Sequence, residues 1–287
     1  MGRINQQEAM ADNLNRPERR PRLWLEIVLS GAIYAIYTAI RNQFGSDLGE
    51  NAKQAAIDNA ELVIDIERSM HLFGEHGIQQ VFIDWDWFII FWNFFYGFMH
   101  FAATIGAMVY LFVRYPVRYL TWRSILTATT VLALIGFATF PLMPPRLLNE
   151  CESPYGACDL NYEFVDTLVD PGGFWSFDSG AMQEISNQYA AMPSLHIAWA
   201  MWVAFALYPV LRRRWTRVAV ASYPVVTLFA IIVTGNHYWI DAIGGAVILA
   251  VGYPLGKRLE AWLPELPASL DSGESAEDRS PAPLQDS

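Results

Sequence analysis

Apolar residues along the 287-residue chain gather into six runs, at about 23–40, 87–113, 124–143, 194–211, 218–236 and 238–256. Each approaches the roughly 20 residues that a helix rising 1.5 Å per residue needs to cross a bilayer core of about 30 Å. The last run opens polar, with HYWIDAIGG, before turning apolar in AVILAVGYPL. Between the first two runs, Ile57, Leu62, Val63, Ile66, Met70 and Leu72 are spaced for a short amphipathic helix lying at the interface, and Trp85 and Trp87 suit an aromatic belt at the entry to the second run. No internal repeat stands out. The pattern predicts an all-α protein: an integral membrane bundle of six transmembrane helices forming one domain over 23–258, preceded by a basic segment at 1–22. The tail at 259–287, with PELPASLDSGESAEDRSPAPLQDS, is rich in proline, serine and acid and is expected to be disordered.

Composition agrees: 53% of residues are hydrophobic and 17% charged. Basic residues orient the bundle. Arg3, Arg16, Arg19, Arg20 and Arg22 precede the first run; Arg114, Arg118 and Arg123 join the second to the third; Arg212, Arg213, Arg214 and Arg217 join the fourth to the fifth; Lys257 and Arg258 follow the sixth. The alternate side carries Arg41, Lys53, Arg68 and Arg146. Both termini are therefore expected in the cytoplasm and the long loops outside, in a multi-pass protein of the plasma membrane. The first run begins too late and extends too far for a cleavable signal peptide. Much of the net charge of −10 lies in the loop after Pro145 and in the tail, and no basic face suits a nucleic acid. Cys151 and Cys158 have no His or further Cys beside them to complete a zinc site. They are either inert thiols or, if their loop faces an oxidising compartment, a disulfide.

The chemistry lies where polar residues interrupt the runs. His196 opens the fourth, in NQYAAMPSLHIAWAMW, and His237 and Asp241 open the sixth, in TGNHYWIDAIGG. Two spans of about 30 Å each, one in and one back, return the two histidines to the same face. Arg146, in FPLMPPRLL just past the third run, and Ser194 belong to that face as well. Residues at i and i+4 share a helix side, so Asp241 is placed to hold one ring proton of His237 and free the other nitrogen to attack. His196 is then available as general acid, and Arg146 as a planar fork for phosphate oxygens. Each feature alone has a plainer explanation: an interfacial histidine is more often a hydrogen-bonded helix end, and an i, i+4 histidine–aspartate pair is often an interhelical contact. Their convergence at a bilayer boundary, where ionisable groups are costly, favours function. Asn93, Tyr96 and His100 share a face of the second run and serve either interhelical hydrogen bonding or a headgroup pocket. Gly244 and Gly245 suit close helix packing. Arg123, on the inner side, serves topology. Phe174, Trp175 and Phe177 either fold over the site or lie among headgroups.

AAMPSLHIAW followed by TGNHYWIDAIGG resembles the second and third signature motifs of the type-2 phosphatidic acid phosphatase superfamily. FPLMPPRLL, FWNFFYGFMHF and YPVRYLTWR resemble its inositol phosphorylceramide synthase-like branch, and the resemblance runs from about 60 to 256. It implies a metal-free and cofactor-free lipid phosphatase or phosphotransferase. By that resemblance His237 is the nucleophile, Asp241 orients it, His196 protonates the leaving group and Ser194 helps to hold the phosphate. The chain departs from the common pattern at Leu195, where the superfamily has glycine, and at Ile231, where it has arginine; the usual lysine-plus-arginine first motif is not evident. Phosphate binding then falls on Arg146 and backbone amides, with Asn93 and Tyr96 as further substrate contacts. The substrate is a lipid phosphate or phospholipid, acted on at the extracytoplasmic face. A rival of another class is a non-catalytic lipid-binding or transport protein on the same helices.

Overall fold

A computed structural model describes residues 23–44, 50–158, 160, 162–169 and 187–262. The segment 1–22, the aromatic trio Phe174, Trp175 and Phe177, and the tail from 263 lie outside the described residues.

Eight α-helices carry the described chain: α1 (Leu23–Phe44), α2 (Glu50–Ser69), α3 (Glu75–Phe82), α4 (Asp86–Arg114), α5 (Pro116–Thr139), α6 (Leu195–Leu207), α7 (Arg214–Val233) and α8 (Trp239–Trp262). Four of them, α4, α5, α7 and α8, are long and apolar enough to cross a membrane, and α6 is apolar but 13 residues long. Their outward faces carry exposed Ile105, Val109 and Val113 on α4, Val218 and Val225 on α7, and Val247 and Val251 on α8. Apolar stripes of this kind suit lipid rather than water.

Helix ends follow local chemistry more than hydropathy. The expected third span, 124–143, is instead α5, which starts eight residues earlier at Pro116, a residue preorganised for the first helical position. It stops at Thr139, because Pro141, Pro144 and Pro145 offer no backbone N–H to continue a helix. The apolar residues beyond are held by other chain segments: Leu142 N–H donates to Tyr189 O (2.8 Å) and Met143 N–H to Ala56 O (3.2 Å). The sixth span continues to Trp262, four residues into the segment read as tail.

The stretch between the first two apolar runs holds two helices, α2 and α3, in place of one short one. On α2 the buried residues are Ala56, Ala60, Val63, Ile64 and Glu67, spaced for one helix face, while Leu62 and Ile66 point outward, with Met70 exposed just past the helix end. α4 is interrupted by a π turn at Phe95–Met99, just where Tyr96 enters the bundle. Wider turns of this kind re-aim side chains inside an otherwise regular helix.

α8 is the central support of the site. A Cβ at Gly252 would lie 2.3 Å from Thr129 Oγ1 and one at Gly256 2.4 Å from Ile125 Cα, so α8 and α5 meet at backbone distance. At the other end of α8, a Cβ on Gly245 would lie 2.4 Å from Ser194 O. That glycine lets the start of α6 settle against α8, as close helix packing requires.

Candidate functional site

The two motif turns are stitched together through backbone. Ser194 N–H donates to the carbonyl of Asp241 (3.0 Å), and Ser194 immediately precedes the first residue of α6. Gly235, with φ +66°, turns the chain after α7; its carbonyl accepts the Arg146 backbone N–H at 2.8 Å. Three separate stretches of chain, at 145–147, 193–196 and 235–241, are thereby fixed relative to one another.

His237 sits at their junction and is almost fully buried. Its Nδ1 lies 3.2 Å from Asp241 Oδ2, the i, i+4 pairing expected from the sequence. The same oxygen accepts the Tyr238 backbone N–H at 2.9 Å, which fixes the carboxylate. A carboxylate at Nδ1 keeps the ring proton there and leaves a lone pair on Nε2. Nε2 in turn faces His196 Nδ1 at 3.3 Å and Ser194 Oγ at 3.4 Å. The Tyr96 ring stacks on His196 with centroids 4.3 Å apart and planes 23° from parallel, and the His100 ring packs on His196 at 4.3 Å.

Arg146 faces the same space. Its three contacts are Nε to Asn236 Oδ1 (3.0 Å), Nη1 to Asp166 Oδ2 (2.5 Å) and Nη2 to Gln188 Oε1 (2.7 Å). A cavity of about 60 Å³ opens between this guanidinium and His237, bounded also by Tyr96, Asn187, Gln188 and Asn236. The cavity thus has an imidazole on one wall and a guanidinium on the other.

Of the residues singled out in the sequence, the structure brings Arg146, Ser194, His196, His237, Asp241 and Tyr96 together. Asn93 does not reach the histidines. Its amide donates to Thr167 O at 2.5 Å and accepts from Thr167 Oγ1 at 3.2 Å, while Thr167 Oγ1 also contacts Thr234 O at 2.9 Å. Asn93 therefore fastens the segment carrying Asp166 above the site. Ile231 is fully buried among Ile197, Ile232 and Ala242, so a core side chain fills the position where the superfamily has arginine. Asp166, Gln188 and Asn236 were not singled out. Asn236 was within reach, being adjacent to His237; Asp166 and Gln188 lie in irregular loop with no spacing to mark them.

A family model described as the PAP2 superfamily matches residues 61–255. The chain belongs to the PAP2 superfamily. This PAP2 chain is also similar to the inositol phosphorylceramide synthase catalytic subunit of Schizosaccharomyces pombe, 27% identical over 180 residues. The match takes in 60% of this chain and 40% of that protein, so the PAP2 chain spans well under half of the relative's length. No solved structure matches it.

Proposed function

We propose that the protein is a lipid phosphatase or phosphotransferase working through a phosphohistidine. The observation that carries this reading is the cluster around His237: Asp241 at Nδ1, His196 and Ser194 at Nε2, and Arg146 across the cavity. Substrate phosphate takes the place of the hydrogen bond between the two histidines. His237 Nε2 attacks phosphorus, a P–N bond forms, and the P–O bond to the leaving alcohol breaks. His196 gives that oxygen its proton. In the second step water, or an acceptor alcohol, gives its proton to His196 and attacks phosphorus, and the P–N bond breaks. Water yields free phosphate; an alcohol yields a new phosphodiester. Arg146, Ser194 and the local amides hold the non-bridging oxygens while charge shifts among them.

We place the site at the extracytoplasmic end of six spans with both termini cytoplasmic, in the cell membrane. Two observations support this. The arginine-rich connections lie at the opposite ends of the helices. Cys151 and Cys158 are joined as a disulfide in the loop that begins beside Arg146, where Ala157 N–H donates to Leu147 O at 2.9 Å; such bonds persist in oxidising compartments.

The test is turnover of short-chain lipid phosphates and phosphodiesters by purified protein in detergent with EDTA present. Wild type releases or transfers the group, and His237→Ala loses activity by roughly four orders of magnitude or more, as expected when a nucleophile is removed. Turnover surviving in His237→Ala sinks the mechanism. Tight lipid binding without turnover in wild type would instead mean a lipid-binding or transport protein.

A further inference from the structure

Arg146 is the one cation among the described residues lining the cavity, and its charge is already matched. Arg146 Nη1 and Asp166 Oδ2 are 2.5 Å apart, with the side chains 8% and 2% exposed. The other Asp166 oxygen accepts the Leu168 backbone N–H at 3.1 Å, and Asn93 and Thr234 hold the neighbouring Thr167, so the carboxylate is seated rather than swinging. The remaining partners of the guanidinium, Asn236 and Gln188, are neutral. Facing the cavity and its histidines are Tyr96 from α4, His196 from α6, and His237 with Asp241 at the head of α8. One arginine thus stands against two buried carboxylates, Asp166 and Asp241, with the family's second arginine replaced by Ile231.

A phosphate with two negative charges entering this space gains from Arg146 and loses nearly as much to Asp166. At an effective dielectric near 20, one unit charge a few ångströms away changes an equilibrium constant on the order of a hundredfold. Among the described residues three of the five guanidinium N–H groups are engaged, which leaves two for a ligand oxygen.

We infer that Asp166 is a specificity-determining residue: by neutralising Arg146 it sets the site to accept a phosphate group carrying one negative charge, and to disfavour a dianion. The inference rests on the phosphohistidine reading above for its kinetic consequences. A phosphodiester meets the requirement at any ordinary pH. A phosphomonoester meets it only as its monoanion, which is lost above a second ionisation near pH 6.

The experiment measures kcat/KM for diacylglycerol release from two probes, short-chain phosphatidic acid and short-chain phosphatidylglycerol, between pH 5.5 and 8.5. In wild type the monoester value falls about tenfold per pH unit above the second phosphate ionisation relative to the diester. Asp166→Asn, which keeps shape and removes charge, flattens that limb and raises the monoester-to-diester ratio at pH 8 by at least about tenfold. Asp166→Glu, which keeps the charge, retains the wild-type ratio. Equal ratios and equal pH limbs in wild type and Asp166→Asn overturn the inference, as does a wild type whose monoester rate shows no such limb.

Binding of inorganic phosphate, read as thermal stabilisation at pH 6 and pH 8, separates this from the catalytic reading. Wild type is stabilised more at pH 6, and Asp166→Asn at least as strongly at pH 8. A wild type that turns over neither probe but shows the pH-dependent phosphate shift would defeat the phosphohistidine function and keep the role of Asp166; a wild type stabilised equally at both pH values would defeat that role. Should Asp166→Asn not fold, the wild-type limb and Asp166→Glu still decide.

Discussion

Among the described residues, two buried arginine–carboxylate pairs share nearly the same local geometry and differ in everything around them. Arg123 Nη1 lies 2.5 Å from Glu26 Oε1, with side chains 14% and 11% exposed; Arg146 Nη1 lies 2.5 Å from Asp166 Oδ2, with side chains 8% and 2% exposed. The first joins α1 to α5, and the Tyr119 hydroxyl completes it by donating to Glu26 Oε2 at 2.8 Å. Among the described residues nothing reactive adjoins it, and the Arg123 Nε is buried with no partner there. The second gathers Asn236 and Gln188 as well, and opens onto a cavity shared with His237. A buried ion pair is by itself weak evidence for stability, since its desolvation cost offsets much of its attraction. What separates the two is convergence: at Arg146 the charge, the cavity and the His237 imidazole come from distant stretches of chain and face one another.

The largest expected effect tests that contrast directly. Arg146→Lys keeps the positive charge beside Asp166 and loses the planar fork, and should lower kcat/KM for a lipid phosphate by at least about a hundredfold, the scale of a lost charge-stabilising donor. Arg123→Met should leave kcat/KM per folded molecule within about twofold. Comparable losses in both variants would mean that the cavity beside Arg146 has no special standing.

Stability should rank the pairs differently. Removing Arg123 leaves Glu26 with Tyr119 alone, and breaking a buried pair costs about 3 kcal/mol. Replacing both partners, Glu26→Leu with Arg123→Met, removes the unpaired charge and should recover most of that loss. Denaturant or thermal unfolding of the detergent-solubilised single and double variants measures it. A double variant no better than Arg123→Met would show that the pair does more than fasten α1.

How much of this was legible beforehand depends on the kind of signal. The paired turns at 193–196 and 235–241 were readable because chemistry, spacing and helix length all pointed to one face, and Arg146 followed from topology alone. The long helices were readable from their apolar runs, but their ends were not: hydropathy carried the third span to residue 143, whereas Pro141 ends α5 at Thr139. On α2 part of the apolar signal came from Leu62 and Ile66, which point outward, while the packed face joins Val63 and Ile64 to Ala56 and Ala60, whose small side chains barely register. Asp166 and Gln188 were invisible for a simpler reason. A loop residue reaches its partner through the fold, and Asp166 meets Arg146 twenty positions away without any periodicity to announce it.

A third buried acidic site sharpens the comparison by dispensing with arginine altogether. Glu67 on α2 and Glu75 on α3 are both fully buried behind the head of α8. Glu67 Oε1 accepts the Ile240 N–H at 2.9 Å, and Glu75 accepts those of Trp239 (3.1 Å) and Gly74 (2.9 Å). The two carboxyls therefore cap the helix that carries Asp241. Burial first, then the hydrogen bond and charge of Glu75, push Glu67 from the usual 4.5 up to about 9. A proton thus stands where the other two sites have a guanidinium. The unfolded chain releases that proton near 4.5 and the folded protein keeps it up to about 9, so the stability it confers is full below about 4.5 and is lost progressively as pH rises to about 9. Glu67→Gln preserves the acceptor for Ile240 and has no proton to lose. Its stability at pH 7 should lie within about 1 kcal/mol of wild type, and its melting temperature should decline less between pH 7 and pH 9.5. An unchanged alkaline decline in the variant would assign the titration to another group, and with it the proton that holds α8 in place.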